Sequence, residues 1–164
     1  MTMKVGDTAR RSRTVTAEDI ELYARMTGDH NPIHFDAELA SRSRFGGIVV
    51  QGGVTSGLLN ALVAEDLPGP GSVFLHTDWS FRAPVRPGDV ITAEARVVQA
   101  RADKPITTLE TVIRNQDGVN GGGDHRVAPD HGADRASRGR ALPSVVVRGG
   151  VRRRRGRGRP GLAG

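Results

Sequence analysis

The chain has 164 residues and a formal charge of +6, long enough for one domain with a hydrophobic core. No apolar stretch approaches the roughly 20 residues of a membrane span, and residues 1–13 lack the apolar block of a secretory signal. The absence of cysteine excludes disulfides, thiolate metal sites and a thiol nucleophile. We therefore expect a soluble, cytoplasmic domain without a membrane partner.

Two helices are predicted near the N-terminus. The first follows Thr16, a suitable N-cap residue with Asp19 three positions on, and ends at Gly28. The second is short, covers residues 37–44 and begins behind Asp36, which is expected to cap it. The bend between these helices contains Pro32 and is predicted not to be helical, because proline disfavours the helical conformation of the residue before it.

A third helix is the best candidate for the centre of the fold. It follows Gly52 and Gly53 and ends before Pro68. Its apolar positions fall at helical spacing over more than one face, which is typical of a buried helix. These positions are Leu58, Leu59, Leu62 and Val63.

Strands are predicted beyond the central helix, over residues 73–81, 90–98 and 106–113. Short turn segments separate them, so the sheet is predicted to be antiparallel. A helix followed by such a sheet indicates an α+β domain in which the sheet wraps the helix. One more strand is needed after Gly118, and Val145–Val147 is the one run that could supply it; without that run the last strand is missing.

The C-terminal segment differs in composition from the rest. Residues 1–117 carry 13 basic and 15 acidic side chains, whereas residues 118–164 carry 11 arginines and three aspartates. This segment also holds 12 of the 22 glycines and no aromatic residue. We predict a domain over residues 1–118 and a disordered tail over residues 119–164, because the tail lacks the apolar surface that would offset its ordering. A shift of reading frame in a GC-rich gene would produce such a tail.

The most informative motif is the run from Thr27 to His34, T-G-D-H-N-P-I-H. It places Asp29 and His34 five positions apart on either side of a proline bend, from which both side chains can converge on one small volume. A carboxylate and a neutral imidazole that hold one water molecule form a general acid/base pair able to work near neutral pH. Asp29 could instead only close the turn, and His34 could be structural.

The sequence resembles the MaoC-like, (R)-specific enoyl-CoA hydratases of hot-dog fold. The resemblance rests on residues 23–34 (Y-A-R-M-T-G-D-H-N-P-I-H), 48–57 (I-V-V-Q-G-G-V-T-S-G) and 81–89 (F-R-A-P-V-R-P-G-D). It extends from about Val15 to Gly118. The chain departs from the family pattern at Gln51, where many members have histidine.

The resemblance implies hydration of a trans-2-enoyl thioester, carried by CoA or an acyl carrier, or the reverse dehydration. Asp29 and His34 would be the catalytic pair, with Asn31 helping to position them. Gly52, beside Gly53, would offer its N–H to the thioester carbonyl. The resemblance implies a homodimer formed through the sheets, and no metal or other cofactor is expected.

Three alternatives remain open. A hot-dog thioesterase would use the same scaffold to hydrolyse saturated acyl thioesters. The arginine-rich run Arg152–Pro160 could bind nucleic acid, although a single short motif is weak support for this partner. The chain could also be an inactive remnant if the last strand is truly missing.

Overall fold

The computed structural model describes residues 3–118 and the backbones of Asn120–Gly122 and Ser144–Gly149. One sheet covers a central helix, and the predicted α+β class with a central helix is confirmed. The elements in chain order are β1 (Thr8–Thr14), α1 (Ala17–Thr27), a 3₁₀ helix (Pro32–His34), α2 (Ala37–Arg42), α3 (Gly52–Glu65), β2 (Val73–Asp78), β3 (Val90–Ala100), β4 (Ile106–Arg114), β5 (Asn120–Gly122) and β6 (Ser144–Gly149).

The core lies between α3 and the inner face of the sheet. Leu59 and Leu62 of α3 are fully buried, as is Leu109 of β4. Alternate residues of β3 point into the same core, as the period-2 pattern of the sequence requires. The inward residues of β3 are Ile91, Ala93, Ala95 and Val97.

The strand order of the sheet is β1-β3-β4-β6-β2, with β5 paired to β4 beside this path. The pairs β1 with β3, β3 with β4 and β4 with β5 are antiparallel, as predicted. β6 differs, because it runs parallel to both β4 and β2. A parallel neighbour requires a long connection, and residues 123–143 of the chain separate β5 from β6.

β1 was not anticipated in the sequence. Its residues, T-A-R-R-S-R-T, show no apolar alternation, because the strand lies at the edge of the sheet and only part of it is covered. The registry of β1 along β3 places Arg10 opposite Glu94, and their side chains form an ion pair. Tertiary pairing, and not local pattern, therefore defines this strand.

Two strands lie inside the segment that the sequence predicted to be a disordered tail. β6 contains Val145–Val147, the run singled out as the only candidate for a last strand, and it fills the position between β4 and β2. The sheet is therefore not short of a strand among the described residues. The remaining tail, including Arg152–Pro160, lies outside the described residues.

Some predicted boundaries are displaced. α2 ends at Arg42, two residues early, and β2 ends at Asp78 instead of residue 81. After β2 the chain turns back toward the start of α3, where the Val85 carbonyl accepts the Val50 N–H at 2.8 Å. Among the helices that the structure describes, none has both the length and the apolar character to cross a membrane.

Candidate active site

The site begins where α1 ends. A capping box between Thr16 and Asp19 opens this helix, as predicted. At its other end Gly28 adopts a left-handed conformation (φ 79°) and donates its N–H to the Ala24 carbonyl at 2.7 Å. This conformation is one that glycine adopts without steric cost. The chain therefore leaves the helix sharply, and Asp29 is its first residue outside.

The two oxygens of the Asp29 carboxylate face different partners. Oδ1 accepts the Asn31 N–H at 3.3 Å, which closes an Asx turn. Oδ2 lies 3.7 Å from Nε2 of His34. The turn-closing role and the pairing with the imidazole are therefore compatible, because each uses a separate oxygen.

The bend that follows is a short 3₁₀ helix, Pro32–His34, so the prediction that it contains no helix was wrong. Proline is tolerated here because the first helical position needs no N–H donor. The Asn31 side chain caps this turn, since its Oδ1 accepts the Ile33 N–H at 3.2 Å. Asn31 thus holds the turn that carries His34 at its end.

The imidazole of His34 is fixed by a second hydrogen bond. Its Nδ1 lies 2.7 Å from the Val49 carbonyl oxygen, which can only accept. Nδ1 must therefore carry a proton, and in the neutral ring Nε2 is left as an acceptor facing Asp29. The His34 side chain is 11% exposed and that of Asp29 is 41% exposed, so solvent reaches the pair from the aspartate side.

This arrangement suits a shared water molecule. With His34 neutral, Oδ2 and Nε2 are both acceptors, and 3.7 Å is too long for a hydrogen bond between them. One water molecule can donate one hydrogen to each, which leaves its lone pairs free to attack an electrophile. The geometry therefore provides two proton acceptors on one nucleophile.

Two aromatic rings flank the first turn of α3. A Cβ atom on Gly52 would lie 2.9 Å from Cζ of Phe81, and one on Gly53 would lie 1.9 Å from the Tyr23 hydroxyl. Gln51 precedes this turn and makes no capping hydrogen bond with its side chain. The N–H groups of Gly52 and Gly53 thus begin a helix without a side-chain partner at its N-cap.

Gln51 is nearly fully buried, with 2% of its surface exposed. Its Nε2 donates to the Ile20 carbonyl at 3.3 Å, which ties α1 to the start of α3. Its Oε1 has no hydrogen-bond partner among the described residues. The residue that departs from the family pattern therefore supports the helix start instead of lying on the surface.

The structure brings the five predicted site residues to two neighbouring places. Asp29 and His34 meet across the 3₁₀ turn, while Gly52 and Gly53 open α3. The Val49 carbonyl joins these places, because it binds His34 and precedes Gly52 by three residues. Tyr23 and Phe81 were not predicted as site residues. In the sequence, each was marked only as the first residue of a quoted motif. The contacts of the two rings with the glycines are tertiary and had no signal in the sequence.

Two of the clefts on the described surface lie beside the sheet. One of about 360 Å³ lies between β1, α1 and α3 and is lined in part by Tyr23 and Gly53. The other, of about 570 Å³, lies on the outer sheet face among charged side chains such as Arg96 and Glu110. Asp29 and His34 line neither cleft. Among the described residues, no group of three histidine, aspartate or glutamate side chains is placed to hold a metal ion.

The comparisons with known proteins bear on the family and the fold of the chain. The "MaoC like domain" family model matches residues 3–117. An (R)-specific enoyl-CoA hydratase from Aeromonas caviae is 38% identical over 117 residues, which cover 71% of this chain and 87% of that protein. A mitochondrial 3-hydroxyacyl-[acyl-carrier-protein] dehydratase from Solanum lycopersicum is 33% identical over 118 residues, 71% of this chain and 70% of that protein.

A solved structure of the (R)-hydratase from A. caviae has the same fold. It superimposes with a TM-score of 0.70 at 38% identity and covers 73% of this chain and 91% of that chain. The predicted hot-dog fold is therefore confirmed. With the family model spanning residues 3–117 as well, this chain belongs to the MaoC-like dehydratase family.

Proposed function

We propose that the chain hydrates trans-2-enoyl thioesters to (R)-3-hydroxyacyl thioesters and catalyses the reverse dehydration. The observation that carries the proposal is the 3.7 Å approach of Asp29 Oδ2 to His34 Nε2, with Nδ1 already bound to the Val49 carbonyl. The named activities of the relatives, a hydratase and a dehydratase, support the two directions of one reaction.

The proposed reaction conserves the atoms of one water molecule. Asp29 and His34 each accept one hydrogen bond from the water, whose oxygen then bonds to Cβ of the alkene. The proton released passes to one of these two acceptors, and a proton is delivered to Cα as the Cα–Cβ double bond becomes single.

The thioester oxygen becomes enolate-like and negative during this addition. We propose that the Gly52 N–H binds this oxygen. Gly52 is the first residue of α3, where the positive end of the helix dipole and the first N–H groups favour a negative oxygen. Gly53 completes the same turn and leaves room for Tyr23. Asn31 acts as a positioning residue, since its side-chain oxygen is already engaged by Ile33.

The test is loss of enoyl absorbance with crotonyl-CoA. We expect Asp29→Asn and His34→Gln each to lower kcat by about 10²-fold or more, within the range for loss of a general acid/base group. His30→Gln is the matched control, because this exposed histidine lies four residues from His34 and its ring contacts Phe35. Full activity of Asp29→Asn would reject the proposed base.

Hydrolysis of a saturated acyl-CoA is the competing outcome. Release of CoA thiol is easily followed here, because the protein has no cysteine to react with a thiol reagent. Thiol release without hydration would replace the proposal with a thioesterase. A carrier-protein thioester tested beside crotonyl-CoA would decide between the two carriers.

We also infer a homodimer formed through the sheets, without a metal or other cofactor. β2 is an edge strand, and its side chains Val73 and Leu75 are 41% and 57% exposed, which supports contact with a second copy. A monomeric mass in solution would contradict this inference. A cytoplasmic location stays a prediction, since two of the relatives are named mitochondrial.

A further inference from the structure

Phe81 is an unusual neighbour for the start of α3. Its ring tip lies against Gly52, so closely that a Cβ there would be 2.9 Å from Cζ, yet 56% of the residue is exposed. An exposed aromatic ring beside a helix-start N–H that has no N-cap side-chain partner among the described residues offers apolar contact and a hydrogen-bond donor at one place. A ligand bound to that N–H would therefore lie close to the ring.

Covalent geometry supports this contact. A carbonyl oxygen hydrogen-bonded to the Gly52 N–H lies about 4 Å from the Gly52 Cα. The tip of the Phe81 ring approaches the same Cα from the side where a Cβ would stand. The oxygen and the ring tip would then be about 6 Å apart. The next one or two atoms of a thioester span that distance, so the acyl or sulfur side of the substrate would touch the ring.

Phe81 is held from both directions along the chain. On its C-terminal side, the Val85 carbonyl accepts the Val50 N–H, and Arg86 donates to the carbonyls of Ile48 and Phe45. On its N-terminal side lies β2, which ends three residues earlier at Asp78. The position of the ring thus depends on the attachment of β2 as well as on the contacts of Val85 and Arg86.

Among the described strands, β2 pairs with β6 alone. The strand order places β6 between β4 and β2, so the described β2 has no backbone pairing with β4. Val146 of β6 is paired with His76 on one side and Thr108 on the other. Breaking this double ladder would leave β2 with side-chain contacts alone, such as the packing of Phe74 on the core.

We propose that Phe81 forms one wall of the thioester site at Gly52, and that β6 positions this wall by holding β2 in the sheet. The proposal rests on the hydratase function proposed above and deepens it. It gives the C-terminal strand a role in substrate binding, at a site built from residues far earlier in the chain.

The role of Phe81 is tested by kinetics with crotonyl-CoA and a longer enoyl-CoA. We expect Phe81→Ala to raise KM about tenfold with kcat within about twofold, because it removes contact made equally in the ground and transition states. Phe81→Leu should recover most of the affinity. Val98→Ala is the control, since Val98 is an exposed apolar residue of β3 outside the site. An unchanged KM for Phe81→Ala would overturn the proposal.

The role of β6 is tested in the full-length protein with Val146→Pro, which removes an N–H from a strand paired on both sides. Val151→Pro, which lies beyond β6, is the matched control. We expect Val146→Pro to raise KM about as much as Phe81→Ala, and the double variant to exceed either single variant by less than twofold. If the KM increases of the two single variants multiply in the double variant, β6 does not act through Phe81. If Val146→Pro does not fold, Val146→Gly weakens the same strand with less disruption.

A second readout does not depend on activity. Trp79 is the only tryptophan of the chain, and it lies between β2 and Phe81. We expect acrylamide to quench its fluorescence more in Val146→Pro than in Val151→Pro. Equal quenching would overturn the positioning by β6, even if the wild-type protein proved inactive and the proposed hydratase function failed.

Discussion

Replacing glycine by alanine should lower the stability of the protein at Gly53 and raise it at Gly57, although both residues lie in α3. At Gly53 a Cβ would lie 1.9 Å from the Tyr23 hydroxyl and 2.2 Å from its Cζ, whereas at Gly57 nothing lies within 4 Å. Since carbon atoms pack at about 3.5–4.0 Å, the Tyr23 ring must retreat by about 1.5 Å in Gly53→Ala. The two variants share a helix and a chemical change, and differ in this clash.

The expected magnitudes follow from this comparison. Alanine in place of glycine stabilises a helix interior by about 0.5–1 kcal/mol, so Gly57→Ala should raise the free energy of unfolding by that amount. Overpacking costs about 1–3 kcal/mol, which outweighs the helical gain at Gly53. We expect Gly53→Ala to be about 1–3 kcal/mol less stable than Gly57→Ala.

The measurement is urea unfolding followed by Trp79 fluorescence, with thermal melts in parallel. For a chain of this size each kcal/mol corresponds to a shift in Tm of about 2–4 °C. In a Tyr23→Ala background, Gly53→Ala should lose its penalty, because the ring that it meets is gone. Equal stability of Gly53→Ala and Gly57→Ala would refute the close approach of Tyr23.

Three further predictions follow from the described contacts. The pKa of Asp19 is lowered, because hydrogen bonds from the Thr16 N–H and from Arg13 outweigh the effect of burial, which acts to raise it. Asp19→Asn should therefore lower the free energy of unfolding by about 1 kcal/mol at pH 7. This difference should shrink as the pH falls through the lowered pKa, in unfolding measured between pH 7 and pH 3. Asn31→Ala should lower kcat about tenfold or more, checked by crotonyl-CoA hydration, because the turn carrying His34 loses its cap. Arg86→Lys should lower the Tm by several degrees, since one ammonium group cannot reproduce a fork that binds two carbonyls; an unchanged melt would contradict that reasoning.

The local elements of this fold were predictable where the cause was local. The capping box from Thr16 to Asp19 and the left-handed Gly28 set the limits of α1 through contacts between near neighbours. The apolar positions of α3 predicted which of its residues are buried, because Leu58, Leu59, Leu62 and Val63 fall at the helical spacing that turns them toward the core. The pairing of Asp29 with His34 was predictable as well, since both residues lie on one short turn.

The elements that depend on distant partners were not predictable in this way. β1 is a strand because β3 lies beside it, and its own residues show no strand pattern. The direction of β6 could not be inferred from three valines, because parallel and antiparallel ladders bury the same side chains. The 3₁₀ turn at Pro32 was missed because the rule against proline in helices does not apply at the first position.

The sequence by itself determined the family, the limits of α1 and the pairing of Asp29 with His34, because these depend on residues within a few positions of one another. Only the tertiary structure decided what surrounds them. The Val49 carbonyl fixes the His34 tautomer, Tyr23 and Phe81 close on two glycines, and β6 holds β2 in the sheet. Each of these contacts joins segments far apart in the chain, and their packing geometry exists only once the core has formed.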